Sequence, residues 1–395
     1  MTAERLERTI ALLADLVAFP SVSGNANTDI IDYIKTYLEA HGARVKLDGE
    51  PGDGRMNLFA SIGPQIDGGM ILSAHTDVVP ASPDGWTGDP FTLRRIDGRL
   101  HGRGAVDMKG FIAIALAMVP EIVAQQDKLR VPVHLAFTYD EELGCYGSAR
   151  MPAFLSQNDI VAEMAIIGEP TGMRPFVGHK GGMELIAEIT GTPGHASKPG
   201  GRVNAIYYAA KLIDFINQTA ADIASRPVAG SPFDPPYTSL SVGRIEGGEA
   251  RNVIPANCRV DWEIRPLPGD DPHAVLALIR DYADRELVPE MQAIAPDTGI
   301  KLTAISDVPP MDARPQSVAA ELVARLWTNE APDVVSFGTD GAYFQQAGME
   351  TIVFGPGGMD QMHQPDEYIE EAALSQGLIF LDRVLAHLTA PVGEH

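Results

Sequence analysis

Cysteine is nearly missing from this sequence, in which 395 residues include only Cys145 and Cys258. Two cysteines cannot form a disulfide framework, and such a low content is typical of proteins from a reducing compartment. The N-terminal segment, MTAERLERTIALLADLVAF, lacks the basic start, the long apolar run and the cleavage site of a secretory signal peptide. We therefore expect a cytoplasmic protein.

Long hydrophobic runs and an excess of positive charge are also missing. The most apolar segment, FIAIALAMVPEIVA from Phe111, contains Pro120 and Glu121 and is too short to span a bilayer, so it predicts a buried helix. The sequence has 30 basic and 53 acidic residues, which gives a net charge of −23. This charge disfavours nucleic acids and anionic membranes as partners, whereas a cationic substrate and plain solubility both fit it.

The order of the hydrophobic patterns predicts two domains. At 395 residues, the chain is too long for one typical core. Short apolar strands alternate with helices, which predicts an α/β fold whose mixed sheet is covered by helices and binds ligands beyond the carboxyl ends of its strands. Residues 178–307 follow a β-α-β-β-α-β order, which is that of a ferredoxin-like α+β domain. We therefore expect a larger domain of residues 1–177 and 308–395, interrupted by an inserted domain of residues 178–307.

Histidines and carboxylates recur where the predicted strands end. Five texts carry them: SAHTDVVP (73–80), GRGAVDMKG (102–110), TYDEELG (138–144), IIGEPT (166–171) and MHQPDEY (362–368). The residues concerned are His75, Asp77, Asp107, Glu141, Glu142, Glu169 and His363. Two imidazoles with several carboxylates suit a borderline-soft divalent cation such as zinc. In a Glu-Glu pair, one carboxylate can bind metal while the other acts as a base toward water, as a two-metal hydrolase requires.

Each text has an ordinary structural interpretation when it is taken alone. An H-x-D text at a strand end is more often a turn with an Asx hydrogen bond, and a Glu-Glu pair is more often a solvated helix start. His363, close to a proline, is more often a surface turn residue. The hypothesis of a metal site therefore depends on all five texts occurring in one chain. Cys145 lies close to the Glu pair and offers a thiolate ligand, although the oxygen and imidazole ligands already suffice.

These texts resemble those of the dinuclear zinc hydrolase family that includes acetylornithine deacetylase, succinyl-diaminopimelate desuccinylase, aminoacylase and carboxypeptidase G. The resemblance extends over nearly the whole chain and implies a zinc-peptidase-like catalytic domain with an inserted lid and dimerisation domain. It implies two zinc ions, for which cobalt or manganese can substitute, with Asp107 as the bridging carboxylate. The implied terminal ligands are His75, Glu142, Glu169 and His363. Asp77 would orient the imidazole of His75, and Glu141 would be the general base.

The same resemblance implies roles for residues of the inserted domain. His195, in GTPGHASKP (191–199), matches a histidine that stabilises the tetrahedral oxyanion, often in the neighbouring subunit's site, which implies a homodimer formed through the lid domains. Without the resemblance, His195 would be interpreted as an exposed turn residue. Asn252 and Arg265 match positions that hold the substrate's carboxylate or the reacting amide oxygen. Gly338 and Thr339 belong to a glycine-rich loop that either approaches the substrate or is a plain strand-to-helix turn.

Together these residues predict hydrolysis of the amide bond of an N-acylated amino acid. The texts EELGC, GEPT, WEIRPLPG and GPGGMDQMHQPDEY most resemble the acetylornithine deacetylases, which implies N2-acetyl-L-ornithine as substrate and a role in arginine biosynthesis. The loop Gly338–Gly341 departs from theirs at Asp340 and is closer to the desuccinylases. Three alternatives stay open. They are a desuccinylase or other deacylase, a dinuclear carboxypeptidase or dipeptidase, and a non-catalytic binding protein on the same fold.

Overall fold

The computed structural model of the chain describes residues 2–50, 52–82 and 84–391. Within these ranges the strands are β1 (Arg44–Gly49), β2 (Met56–Ile62), β3 (Met70–His75), β4 (Arg94–Ile96), β5 (Arg99–His101), β6 (Val133–Thr138), β7 (Met164–Ile167), β8 (Phe176–His179), β9 (Gly182–Thr190), β10 (Gly194–His195), β11 (Ser239–Gly247), β12 (Val253–Ile254), β13 (Asn257–Arg265), β14 (Gly299–Val308), β15 (Asp333–Val335), β16 (Glu350–Val353) and β17 (Tyr368–Glu370). The α-helices are α1 (Ala3–Val17), α2 (Thr28–Ala40), α3 (Gly110–Ala124), α4 (Met151–Gln157), α5 (Ala205–Ala224), α6 (Pro272–Tyr282), α7 (Val288–Ile294), α8 (Val318–Leu326), α9 (Gly341–Gln346) and α10 (Glu371–Thr389). No helix in the described ranges is long and apolar enough to cross a membrane.

The chain divides into two compact units. Unit 1 combines the residues up to 178 with residues 314–333 and those from 339 onward, and unit 2 comprises residues 179–313 and 334–338. Unit 2 is longer than the insertion of residues 178–307 that we predicted. Met311 and His179 exchange two backbone hydrogen bonds of 3.0 and 3.1 Å, and the backbone N–H of Lys180 donates to the carbonyl of Val335 at 3.1 Å. These contacts add the two extra segments to unit 2.

An eight-stranded mixed sheet has the strand order β1-β2-β6-β3-β7-β16-β8-β15. The four central strands β6, β3, β7 and β16 are parallel to one another. Every residue of β3 and β6 is buried, as is expected for parallel strands that are covered on both faces. The mixed α/β class predicted from the sequence is confirmed. Because β3, β6 and β7 run in the same direction, the residues that follow them meet at one edge of the sheet.

Helix α3 forms the centre of the core of unit 1. Of its 15 residues, 11 are buried, so it is apolar on all sides, and the predicted buried helix is confirmed. It continues past Pro120 to Ala124. Glu121 accepts hydrogen bonds from Arg5 at 3.0 Å and from Arg8 at 2.6 Å, which ties α3 to the N-terminal helix α1. Helix α3 begins three residues after Asp107, so the main core of the unit fixes the segment that carries this carboxylate.

Unit 2 contains a four-stranded antiparallel sheet with the order β11-β13-β9-β14. Apart from the two-residue strands β10 and β12 and the short helix α7, the elements β9, α5, β11, β13, α6 and β14 have the β-α-β-β-α-β order that the sequence predicts. Burial alternates along β13, where Cys258, Val260, Trp262 and Ile264 face a core shared with α5 and α6. This alternation is typical of a sheet with one covered face.

Candidate active site

Three neighbouring strands of unit 1 deliver side chains to the same edge of the sheet. Strand β3 ends at His75, which pairs in register with Thr138 at the end of β6. Glu141 and Glu142 follow β6 after a short turn, and Glu169 follows β7. The other contributors, Asp107 and His363, lie in loops of the same unit. All five predicted metal ligands therefore lie in one unit, although 288 positions separate His75 from His363.

His75, Asp107 and Glu169 form a buried group, which we name the His75 position. The imidazole Nε2 of His75 lies 3.0 Å from Oδ1 of Asp107 and 4.0 Å from Oε1 of Glu169. The side chain of His75 is 1% exposed. One ligand atom from each of the three residues lies within 4.8 Å of the others.

Asp107, Glu142 and His363 form a second group, which we name the His363 position. Nε2 of His363 lies 3.0 Å from Oε1 of Glu142 and 3.2 Å from Oδ2 of Asp107. The two carboxylate oxygens of Asp107 thus face two different histidines. The side chain of His363 is 47% exposed, so this position lies at the surface of the unit whereas the His75 position is enclosed.

Both groups have donors and spacings that suit a divalent cation such as zinc. Tetrahedral zinc with ligands at about 2.0–2.1 Å holds neighbouring donor atoms about 3.3 Å apart. The separations of 3.0 Å for His75–Asp107, 3.2 Å for His363–Asp107 and 3.0 Å for His363–Glu142 are close to that value, and Glu169 lies 4.0 Å from Nε2 of His75. Imidazole and carboxylate donors suit zinc, cobalt or manganese. The residues present therefore fit two divalent cations that share Asp107.

Electrostatics also favour cations at these two positions. Burial and the charge of Asp107 raise the pKa of Glu142 and of Glu169. Hydrogen bonds with Asp107 and Glu142 raise the pKa of His363 to about 10, so its imidazole carries a positive charge beside these carboxylates. A divalent cation supplies positive charge at the same place by displacing such protons.

Asp77 holds the turn that carries the Glu pair. Its carboxylate accepts from the backbone N–H of Glu141 at 3.1 Å, from that of Glu142 at 3.4 Å and from the hydroxyl of Ser23 at 2.7 Å. The Nδ1–H of His75 donates to the backbone carbonyl of Asp77 at 2.9 Å, whereas the nearest carboxylate oxygen is 3.5 Å away. Asp77 therefore contacts His75 chiefly through its backbone, while its carboxylate holds the backbone of the two glutamates.

Glu141, the predicted base, lies beside both histidine-bearing groups. One of its carboxylate oxygens lies within 4.8 Å of ligand atoms of His75 and Glu142. Burial and the charge of Glu169 raise the pKa of Glu141 well above its ordinary value. A carboxyl group with a raised pKa can both accept and return a proton near neutral pH. The thiol of Cys145 donates to Oε1 of Glu141 at 3.6 Å, and burial raises the pKa of this thiol.

Two acidic residues near the site were not predicted from the sequence. Asp340 is buried, accepts from the hydroxyl of Thr138 at 2.6 Å and lies with Glu141 and Cys145 in one group. It is the residue that the loop 338–341 contributes to this group, since Thr339 is buried and its hydroxyl accepts from Gly341 within the turn. Glu367 is the second such residue and contacts the backbone around Asp107. The sequence does show an acidic residue in each of the two motifs concerned. It does not show which residues these acids contact in the folded chain.

The remaining predicted residues lie in unit 2, apart from Thr339. His195 on β10 is exposed, and its Nδ1 accepts from the hydroxyl of Ser197 at 2.7 Å. Strand β10 pairs with β12, and the backbone carbonyl of Asn252 accepts from Ala196 at 2.9 Å, so His195 and Asn252 are neighbours.

Arg265 lies at the opposite end of β13 from the segment next to Asn252. Arg265 lies eight positions after Asn257 on this strand, which is a distance of about 26 Å at 3.3 Å per residue. Its guanidinium pairs with Glu263 at 2.7 Å. Gly338 lies at the same end, since Val308, which would contact a side chain at Gly338, pairs with Gly182 beside Arg265. Unit 2 therefore brings together the predicted catalytic residue His195 with Asn252, and Arg265 with Gly338, at two separate places.

Known proteins share both the sequence pattern and the fold. The family model described as peptidase family M20/M25/M40 matches residues 71–387. The dipeptidase Dug1p of Saccharomyces cerevisiae is 16% identical, with 98% of each chain covered and a TM-score of 0.78. An M20 family metallo-carboxypeptidase of Sulfolobus solfataricus is 17% identical, with 96% of this chain and 99% of that chain covered and a TM-score of 0.78. A dinuclear metal-binding peptidase of Bacillus subtilis is 17% identical, with 98% and 99% covered and a TM-score of 0.62.

Proposed function

Since the chain belongs to peptidase family M20/M25/M40, we propose that it is a two-zinc amidohydrolase that removes the acyl group from an N-acylated amino acid. The first substrate we propose is N2-acetyl-L-ornithine, which would give L-ornithine and acetate. The observation that carries the proposal is the position of Asp107, whose two oxygens face His75 and His363 while Glu141 lies beside them. This arrangement supports two cations on one carboxylate with a base within reach.

The residues divide the work of amide hydrolysis among them. His75, Asp107 and Glu169 would hold one cation, and Asp107, Glu142 and His363 the other. When bound, these cations would supply Lewis acidity that lowers the pKa of a water molecule and polarises the amide carbonyl. Glu141 accepts the proton of that water as the new C–O bond forms, and it returns the proton to the amine as the C–N bond breaks. The carboxyl group of the product then gives up its remaining proton, so that the products are a carboxylate and a protonated amine, and Glu141 ends in its starting state.

The choice of N2-acetyl-L-ornithine is supported by the resemblance of several sequence texts and by charge. The texts EELGC, GEPT and WEIRPLPG match acetylornithine deacetylases, and a chain with a net charge of −23 favours a substrate with a cationic side chain. One observation favours a dipeptide as a second candidate substrate. Similar solved structures include a dipeptidase and a carboxypeptidase, which act on peptide bonds with the same kind of fold.

A substrate panel with one matched pair of variants tests the proposal. Purified protein loaded with zinc is assayed on N2-acetyl-L-ornithine, N-succinyl-diaminopimelate and a set of dipeptides. We expect cleavage of the first, and Glu141→Gln should lower kcat by about 10²- to 10⁴-fold while zinc content stays the same. Glu39→Gln, in an exposed pair with Lys35, is the control and should leave kcat unchanged. Cleavage of none of these amides by the zinc-loaded protein would refute the proposed reaction.

A further inference from the structure

Glu367 is a buried carboxylate, and both of its oxygens accept hydrogen bonds. It lies four residues after His363, just before β17, and its side chain is 1% exposed. Oε1 accepts from the backbone N–H groups of Val106 at 2.9 Å and Asp107 at 3.3 Å. Oε2 accepts from the backbone N–H of Gly104 at 3.1 Å. The carboxylate therefore holds the loop that presents Asp107, without belonging to either group of cation ligands.

Arg103 extends this contact to the segment of His363. Its Nη1 donates to Oε2 of Glu367 at 2.7 Å and lies 3.5 Å from the carbonyl of Gln364, the residue after His363. Arg103 is itself buried, and its guanidinium lies 5.2 Å from the ring of Trp86. A guanidinium in such a place keeps its planar fork in one orientation. The ion pair thus joins the loop of Asp107 to the loop of His363.

The two cation positions depend on this ion pair to different degrees. At the His75 position, β3 and Asp77 fix His75 independently of Glu367. At the His363 position, Asp107 and His363 both lie in loops that the Arg103–Glu367 pair holds. His363 also has a backbone φ of +59°, in the left-handed region that few residues other than glycine adopt. Loss of the pair therefore displaces two of three ligands at the His363 position but only Asp107 at the His75 position.

We propose that Glu367, paired with Arg103, is a positioning residue that selectively sets the affinity of the His363 position for its cation. The inference rests on the proposed two-cation site. Partners that orient metal ligands without touching the metal typically contribute about 10- to 100-fold to metal affinity. Glu367→Gln keeps the size of the side chain but removes the charge that pairs with Arg103.

Zinc retention by the zinc-loaded, full-length protein tests the proposal. Each variant is equilibrated against a series of buffered free-zinc concentrations, and the zinc retained per chain is measured. Wild type should retain two zinc ions down to low free zinc. Glu367→Gln should lose one zinc ion at a free-zinc concentration about 10- to 100-fold higher than wild type and keep the other as wild type does. Glu370→Gln is the matched control, since Glu370 lies three residues later in an exposed pair with Arg99 and should behave as wild type.

A second variant keeps the test decisive if Glu367→Gln does not fold. Arg103→Lys retains the charge and loses the fork, so it should weaken the same zinc ion by a smaller factor. Equal weakening of both zinc ions, or none, in either folded variant would overturn the proposal. Because the readout is binding, a wild type that holds two zinc ions but cleaves no amide would refute the proposed function and leave this result standing.

Discussion

Replacing Asp77 by Asn tests whether this carboxylate positions the base. An amide at position 77 can keep its oxygen toward the N–H of Glu141, which lies 3.1 Å away, and turn its NH2 group toward Ser23, whose hydroxyl can rotate to accept. The hydrogen bond to the N–H of Glu142 at 3.4 Å is lost, and the bond to Glu141 loses its negative acceptor. Bonds to charged groups contribute about 1–2 kcal/mol more than neutral ones, so the Glu pair is held more weakly by about that amount.

We expect Asp77→Asn to lower kcat by about 10- to 100-fold, because the base and one ligand sit on the loosened turn. The assay compares kcat and zinc content on whichever amide wild type cleaves. Asp89→Asn is the matched control, since this exposed carboxylate also accepts from one backbone N–H, at 3.0 Å, and one hydroxyl, at 2.8 Å, and should leave kcat unchanged. A kcat for Asp77→Asn equal to that of wild type at equal zinc content would refute the reasoning.

Four further results are expected. Dialysis against a chelator should abolish turnover and lower Tm, and added zinc or cobalt should restore both; full turnover in metal-free protein would contradict the assignment of the ligands. Gly168→Ala should destabilise the protein by about 1–3 kcal/mol in urea unfolding, because an added Cβ would meet the ring of Phe111 at 2.1 Å; unchanged stability would show that the ring can move. His195→Ala should lower kcat without changing zinc content, and equal kcat would remove its implied role. Burial lowers the pKa of His134 to about 4, so between pH 6.5 and 4 only the unfolded chain takes up a proton at this residue. The free energy of unfolding should therefore fall by about 3 kcal/mol as the pH is lowered from 6.5 to 4. In His134→Gln the free energy of unfolding should fall less over the same range.

The position of the candidate site at one edge of the sheet could be predicted, because apolar runs end at or just before the histidine and glutamate residues of the site. MILSA is followed directly by His75, and HLAFT is followed by Glu141 after two intervening residues. Such runs are buried strands wherever they occur, so their ends could be located without knowledge of partners. Strand β1, RVKLDG, was not predicted, because this half-exposed edge strand has charged residues and no apolar run.

The partners of buried acids could not be predicted in the same way. Asp340 meets Thr138 across 202 positions, and Glu367 meets Val106 across 261. An acid in a glycine-rich or proline-containing text is normally solvated, and only tertiary contact turns it into a buried acceptor. Helix α6 continues through a π-helical turn at Ala283–Leu287 into α7, which has Pro289 in its first turn.

The wide spacing of the ligands along the chain sets an order for cation capture during synthesis. The ribosome synthesises His75, Asp107 and Glu169 long before it reaches His363, which lies 194 positions after Glu169. At about 5–20 residues per second, the first trio precedes the last ligand by roughly 10–40 s. In the proposed two-cation site, the ligands of one ion are thus all synthesised early, while the set for the second ion is complete only when His363 has been added.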